Sequence, residues 1–185
     1  MHLLKPKKGK LLVAEPSILN DSSFNRSVIL LTEHSGDSSI GFIMNKPLDL
    51  TIQDLIPEIN CSFCVHQGGP VEQDNLYFIH KLPELIPNSI EVGNGIYWGG
   101  DFEALSDSLN RNNIPENKIR FFLGYSGWSS NQLQNEIRES SWFCIENTYR
   151  NILEIENNSF WKNHLLKIGG KYKLWANAPS DPKLN

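Results

Sequence analysis

The sequence predicts an α+β fold: a mixed, largely antiparallel sheet with helices packed on it. Short apolar runs outnumber helical patterns, and the early ones come in hairpin-like pairs before any long helix. The runs are rich in β-branched and aromatic residues and are bounded by Gly, Pro, Asn and Asp clusters. Strands in hairpins followed by helices are the pattern of α+β domains.

The elements follow in chain order. "GKLLVAEP" is a strand stopped by Pro16, and "NDSSFNRS" is a polar turn. "SVILLTEH" is continuously apolar over Val28–Leu31, which predicts that both its faces are covered. "HSGDSS" is a turn into the strand "IGFIMNKP", so the two strands form a hairpin. "LTIQDLIPEI" makes a short helix with Thr51 as N-cap and Pro57 near its end. "SFCVHQGGPV" runs from strand into a Gly-Gly-Pro turn, and "NLYFIHKL" is the next strand. Gly93-Asn94-Gly95 turns between two short strands, because positive φ suits these residues. Asp101 caps a helix with Phe102, Leu105 and Leu109 on one face. "IRFFLGY" is a strand. Ser129 and Gln132 form a capping box for a helix with Leu133 and Ile137 behind them. "SWFCIE" is a strand, and Tyr149, Ile152 and Leu153 mark a short helix. Phe160, Trp161, His164, Leu165 and Ile168 line a last helix that Gly169 ends.

The length of 185 residues fits one domain over 1–185, with residues 1–8 as a flexible basic arm. A hydrophobic share of 39% suffices for a core. No apolar run approaches the roughly 20 residues that span a bilayer. "MHLLKPKKGK" has no apolar stretch of a secretory leader, so a soluble cytoplasmic protein without a membrane partner is expected. Cys61, Cys64 and Cys144 fit free thiols in a reducing compartment. Residues 1–10 hold four lysines and no acid, and residues 160–185 hold five lysines and one acid. The stretch between has eight basic and twenty acidic side chains, which repels nucleic-acid backbones. The terminal lysines serve solubility, or touch phosphate weakly. With no helix-turn-helix pair or RNA-recognition signature, sequence-specific DNA binding is not expected.

Several residues could carry chemistry. Ser126 lies in "LGYSGW", a strand leading through a turn to a helix, as a nucleophile elbow requires. The elbow pattern G-x-S-x-G is not met, because Trp128 fills the place of the second glycine. His164, the histidine that follows, falls among core-facing helix positions. The expectation is a glycine turn whose Trp128 anchors the next helix. In "VGNGIYWGGD" the third glycine comes one residue late for a dinucleotide loop, and the Asp101 carboxylate competes with any phosphate at that helix start. Cys61-x-x-Cys64-x-His66 lacks the fourth ligand of a zinc site, and Cys64 and His66 share a face that Cys61 does not. No metal and no cofactor are expected. Glu33-His34, with His66 and His80 near strand ends, could supply acid–base groups, but neighbours on a strand face opposite ways. Arg26 is placed to pair with an acid.

Taken in order, "GKLLVAEP", "FNRSVILLTEH", "GFIMNKP", "GGPV", "IYWGGDFEAL", "RFFLGYSGW", "QL" and the closing "DPKLN" resemble the AlgH/YqgE family of bacterial proteins along nearly the whole chain. The resemblance implies a compact domain with a mixed sheet and packed helices. It also implies the label of transcriptional regulator, linked to alginate control in one branch, and supplies no catalytic residues to carry over. The resulting expectation is a non-enzymatic protein acting through a protein or small-ligand partner. The alternative is an enzyme or ligand-binding protein with a polar cleft near Glu33, His34 and Asp101, to which Arg26, Asn45, Gly68 and Gly69 also contribute.

Overall fold

The computed structural model describes residues 4–16, 18, 21–154 and 159–178. The closing "DPKLN" and the first three residues of the basic arm lie outside the described residues. Leu4, within the arm, packs against the hydrophobic core.

Ten strands, β1 to β10, form the sheet: Leu11–Ala14, Val28–His34, Ser38–Ile43, Pro47–Thr51, Cys64–Gln67, Val71–His80, Ile90–Gly93, Ile96–Trp98, Ile119–Ser129 and Trp142–Ile145. Five helices, α1 to α5, span Ile52–Leu55, Phe102–Asn110, Gln132–Arg138, Ser159–Ile168 and Tyr172–Asn177. The main strand order is β10-β1-β2-β3-β9-β6-β8-β7, with β4 on β5 and β5 on β9. β5 runs parallel to β9, and the other strand pairs run antiparallel. The α+β architecture with a mixed, largely antiparallel sheet is therefore present.

β9 holds the sheet together. Its first half pairs with β5 on one side (Val65 to Phe121, Gln67 to Leu123) and with β6 on the other. Its second half leaves β5 and pairs with β3 (Gly41 to Ser126, Ser38 to Ser129). The change of partner occurs at Gly124, where φ is +68°. A left-handed residue inside a strand is a bulge, and it resets the alternation of side chains. Before it, Phe121 and Leu123 face one hydrophobic cluster while Phe122 faces the other. After it, Tyr125 and Trp128 both pack on the cluster that Phe122 joins.

The chain leaving β5 crosses β9 at this bulge. The Gly68 N–H donates to Leu123 O at 2.8 Å, and Gly68 O accepts from Ile43 N and the Ser126 hydroxyl, each at 3.0 Å. A Cβ on Gly68 would collide with the Gly124 carbonyl, and a Cβ on Gly124 would lie 2.7 Å from the carbonyl oxygens of Gly69 and Val71.

Several sequence expectations change here. "GYSGWS" is not a turn: β9 continues through it to Ser129. The capping box at Ser129 is half formed. Gln132 Oε1 accepts from Ser129 N at 3.0 Å, but Asn131 is the N-cap, with φ of 60° and no side-chain bond. The short helix near Tyr149 is only a 3₁₀ turn, Ile152–Glu154. Gly169 ends α4, yet α5 follows it. The strand β4 has no counterpart among the expected elements: it begins at a proline and has no buried residue, so no apolar run marks it in the sequence. Other expectations hold. Val28–Leu31 are fully buried and β2–β3 is a hairpin. Thr51 caps α1 in a capping box with Asp54, and Asp101 caps α2 through Ala104 N at 3.0 Å.

The crossing predicts an asymmetry among glycines. Gly124→Ala should lower stability by roughly 2–4 kcal/mol in urea denaturation, from strain plus collision. Gly95→Ala, also at positive φ but with open space around it, should cost only about 1 kcal/mol.

Candidate functional site

Ser126 is fully buried in β9, and its hydroxyl donates to Gly68 O. It is a pin for the crossing, and among the described residues no base bonds it: His164 instead bonds Phe160 O at 3.0 Å, tilts against Tyr149 and packs edge-on against Phe160. Trp128 does anchor the following helix. Its Nε1 donates to Glu136 Oε2 at 2.8 Å, and Trp142 Nε1 donates to the same oxygen at 2.8 Å.

The structure brings some of the predicted site residues together and separates others. Asn45 is buried; its Oδ1 accepts from Val28 N and its Nδ2 donates to Arg26 O, both at 2.8 Å. Arg26 donates to Ala178 O at 2.9 Å and lies over the Trp161 ring. These two residues close the entry to β2 and tie it to the C-terminal helices. Gly68 and Gly69 belong to the β9 crossing. Glu33 and His34 lie at the far end of β2, roughly 20 Å along the strand from Val28. His34 Nδ1 meets Ser39 Oγ at 2.8 Å, and its ring lines a cleft of about 510 Å³ with Leu4, Lys5 and Arg138. Asp101 is exposed and spends its carboxylate on the α2 cap.

A larger cleft, about 620 Å³, opens where β5 meets the start of β9. Pro47, Phe63, Cys64 and His66 line it from the β4–β5 side, Ile119 and Arg120 from β9 and the buried Leu153 from the 152–154 turn, and Glu116, Asn117 and Glu154 are its exposed lining residues. Cys64 and His66 share this face because they are two apart on a strand. Cys61 sits apart, buried in the hydrophobic cluster. Among the described residues, no three His, Cys, Asp or Glu side chains gather as metal ligands.

Two buried groups set the chemistry of the cleft. Arg120, 5% exposed, donates to Met44 O at 2.7 Å and Leu153 O at 2.5 Å. It thereby fixes the end of β3 and the 152–154 turn against β9. His66, 6% exposed, has a buried Nδ1 with no hydrogen-bond partner. Burial, and then the Arg120 charge, push its pKa down to about 3. The imidazole is therefore neutral near neutral pH and cannot turn Cys64 into a thiolate partner. The thiol donates instead to Leu48 O at 3.4 Å. His80, buried as well, is satisfied: its ring bonds Gly99 O and accepts from Leu82 N, each at 3.1 Å. An unsatisfied buried polar atom is costly, and this one lies within the wall of the cleft with almost no accessible surface of its own. Sequence reasoning reached His66 only as a half-formed zinc pattern and missed Arg120, a cation in an apolar strand.

The fold and cleft define a class: a mixed-sheet α+β protein with one shared central strand and a cleft of mixed polar and apolar lining beside it. Residues 11–173 match the AlgH-like family (DUF179), and the chain belongs to that family. It is 42% identical over 184 residues to a UPF0301 protein of Bacteroides fragilis, covering 97% of this chain and 92% of that one. It is 39% identical over 182 residues to a UPF0301 protein of Chlorobium limicola, covering 98% and 97%. The solution structure of the AlgH protein from Pseudomonas aeruginosa has the same fold, with a TM-score of 0.73, 20% identity, and coverage of 97% and 98%. The crystal structure of a Corynebacterium diphtheriae protein aligns with a TM-score of 0.76 at 21% identity, covering 96% and 95%. No helix among the described residues is long and apolar enough to cross a membrane.

Two measurements check the site. Ser126→Ala should cost only about 1 kcal/mol in urea denaturation, because Gly68 O keeps the Ile43 N–H. The second is pH dependence. The folded pKa of His66 lies below its ordinary value of 6.5, so the unfolded chain binds the proton first. Stability is full above pH 6.5 and falls as pH drops towards about 3. His34, His80 and His164 are shifted down too, by burial, and act in the same direction. His66→Leu should remove roughly 3 kcal/mol of the stability difference between about pH 7 and pH 4.

Proposed function

We propose that this chain is a non-enzymatic binding protein and that the β5–β9 cleft is its ligand site. The observation that carries this reading is His66: a neutral imidazole, almost fully buried, with Nδ1 unpartnered at the wall of a cleft of about 620 Å³. The cleft is of small-ligand size, and Pro47, Phe63, Ile119 and Leu153 give it apolar surface between its polar side chains. The Arg120 guanidinium is turned to backbone carbonyls, and the exposed carboxylates of Glu116 and Glu154 stand at the mouth. That charge pattern disfavours phosphorylated and other anionic ligands. It suits an uncharged or cationic molecule with an apolar body and one hydrogen-bonding edge, which meets the buried Nδ1 once the His66 ring turns towards the cleft.

The non-enzymatic part rests on the absence of an activated group at either candidate centre. Ser126 is sealed, and Cys64 faces a neutral imidazole. The alternative, an enzyme built on Glu33, His34 and Asp101, has less support, since Asp101 sits on α2 and the other two at the end of β2. A regulatory role is one of ligand-dependent contact with a protein partner, because the acidic body disfavours direct contact with DNA.

The test is a ligand-observed NMR screen with uncharged, cationic and phosphorylated heteroaromatic fragments. Fragments of the first two kinds should bind and perturb amides of Cys64–His66, Arg120 and Leu153. His66→Leu should weaken them about tenfold, the cost of one lost hydrogen bond to a buried group. Preferential binding of phosphorylated fragments, or perturbations confined elsewhere, would overturn the reading.

A further inference from the structure

The last two helices carry a face that the cleft does not use. From Ser159 to Ala178 the chain holds Lys162, Lys167, Lys171 and Lys173 and no Asp or Glu. The inner side of this segment is well anchored: Phe160, Trp161, Leu165 and Ala176 are buried in the core, and Trp161 Nε1 donates to Ala14 O at 2.7 Å. Tyr172 packs edge-on against Phe143. The outer side exposes large apolar groups among the lysines. Leu174 is 79% exposed, Trp175 40% and Leu166 36%. The rest of the described chain is acidic, so this is a basic, apolar end on an acidic protein.

We infer that the α4–α5 face docks on an anionic lipid surface. Lysines beside exposed Leu and Trp on short surface helices are the side-chain set of interfacial binding. The lysine ammonium groups meet lipid phosphates, Leu174 enters the acyl boundary, and the amphipathic Trp175 ring sits at headgroup depth. Charge alone would equally suit a nucleic acid, but a phosphate backbone offers no apolar depth for Leu174. The net negative charge of the rest of the described chain is repelled by anionic lipid and keeps the contact peripheral. This adds surface contact to a chain whose sequence suggested no membrane role, and it is independent of the ligand cleft.

The experiment is co-sedimentation of the full chain with phosphatidylcholine vesicles, with and without phosphatidylglycerol, across a salt series. Binding should need phosphatidylglycerol and weaken as salt rises. Neutralising Lys171 and Lys173 to Gln should cost about fivefold in partitioning for each charge. Leu174→Ser should cost roughly tenfold while leaving the salt slope unchanged. Both are surface changes, so folding can be verified by circular dichroism. Equal binding to vesicles without phosphatidylglycerol, or an unaffected Leu174→Ser variant, would overturn the inference. So would pelleting without vesicles, which points to self-association, or duplex DNA binding that outcompetes the vesicles and ignores Leu174.

Discussion

Everything in this structure depends on one strand serving two sets of neighbours. β9 carries β5 and β6 on its first half and β3 on its second, and the exchange is made at Gly124. The exchange needs two backbones to touch. Gly68 and Gly124 lack the atoms that would keep them apart, and the Ser126 hydroxyl fixes the crossing chain to the strand beneath it. A single small polar residue between glycines thus has a mechanical role, and its burial follows from that role.

The cleft is a consequence of the same geometry. β5 can stay beside β9 only up to Gln67, because the chain must turn across it at Gly68. Its side chains therefore face the start of β9, where the 116–118 and 152–154 turns come close. Arg120 locks those walls by donating to Met44 and Leu153 carbonyls. Beside it, His66 stays neutral through burial and through the Arg120 charge. The site consequently has a mixed lining, apolar side chains beside a neutral imidazole, with the Glu116 and Glu154 carboxylates exposed at its edge. That combination favours selection by shape and hydrogen bonding over selection by charge.

Much of this was legible in the sequence, for physical reasons. The continuous apolar run Val28–Leu31 reads directly as a strand with both faces covered, and it is fully buried. Gly93-Asn94-Gly95 reads as a turn, and Asn94 and Gly95 both have positive φ. Caps at Thr51 and Asp101 are local chemistry and were visible locally. The reading failed where tertiary contact overrides local signal. "GYSGWS" has turn composition, yet it is a strand because the Gly68–Gly69 segment passes over its small residues. A signal was present in the alternation of Ser126 and Trp128 against Tyr125 and Gly127. The cleft escaped notice because its parts come from distant segments, 47, 63–66, 116–120 and 153–154. No sequence pattern places Arg120 opposite Met44, or leaves His66 Nδ1 without a partner while His80 is satisfied.

The central claim is that β9 makes both half-sheets one cooperative unit. Native-state hydrogen exchange of the β9 amides tests this most directly. Amides of Phe121–Leu123 and of Ser126–Trp128 should exchange only through global unfolding, with the same free energy and the same denaturant dependence. If one half opens at a distinctly lower free energy while the other stays protected, the two half-sheets are separate units. The crossing at Gly124 would then be a hinge and not the clamp described above.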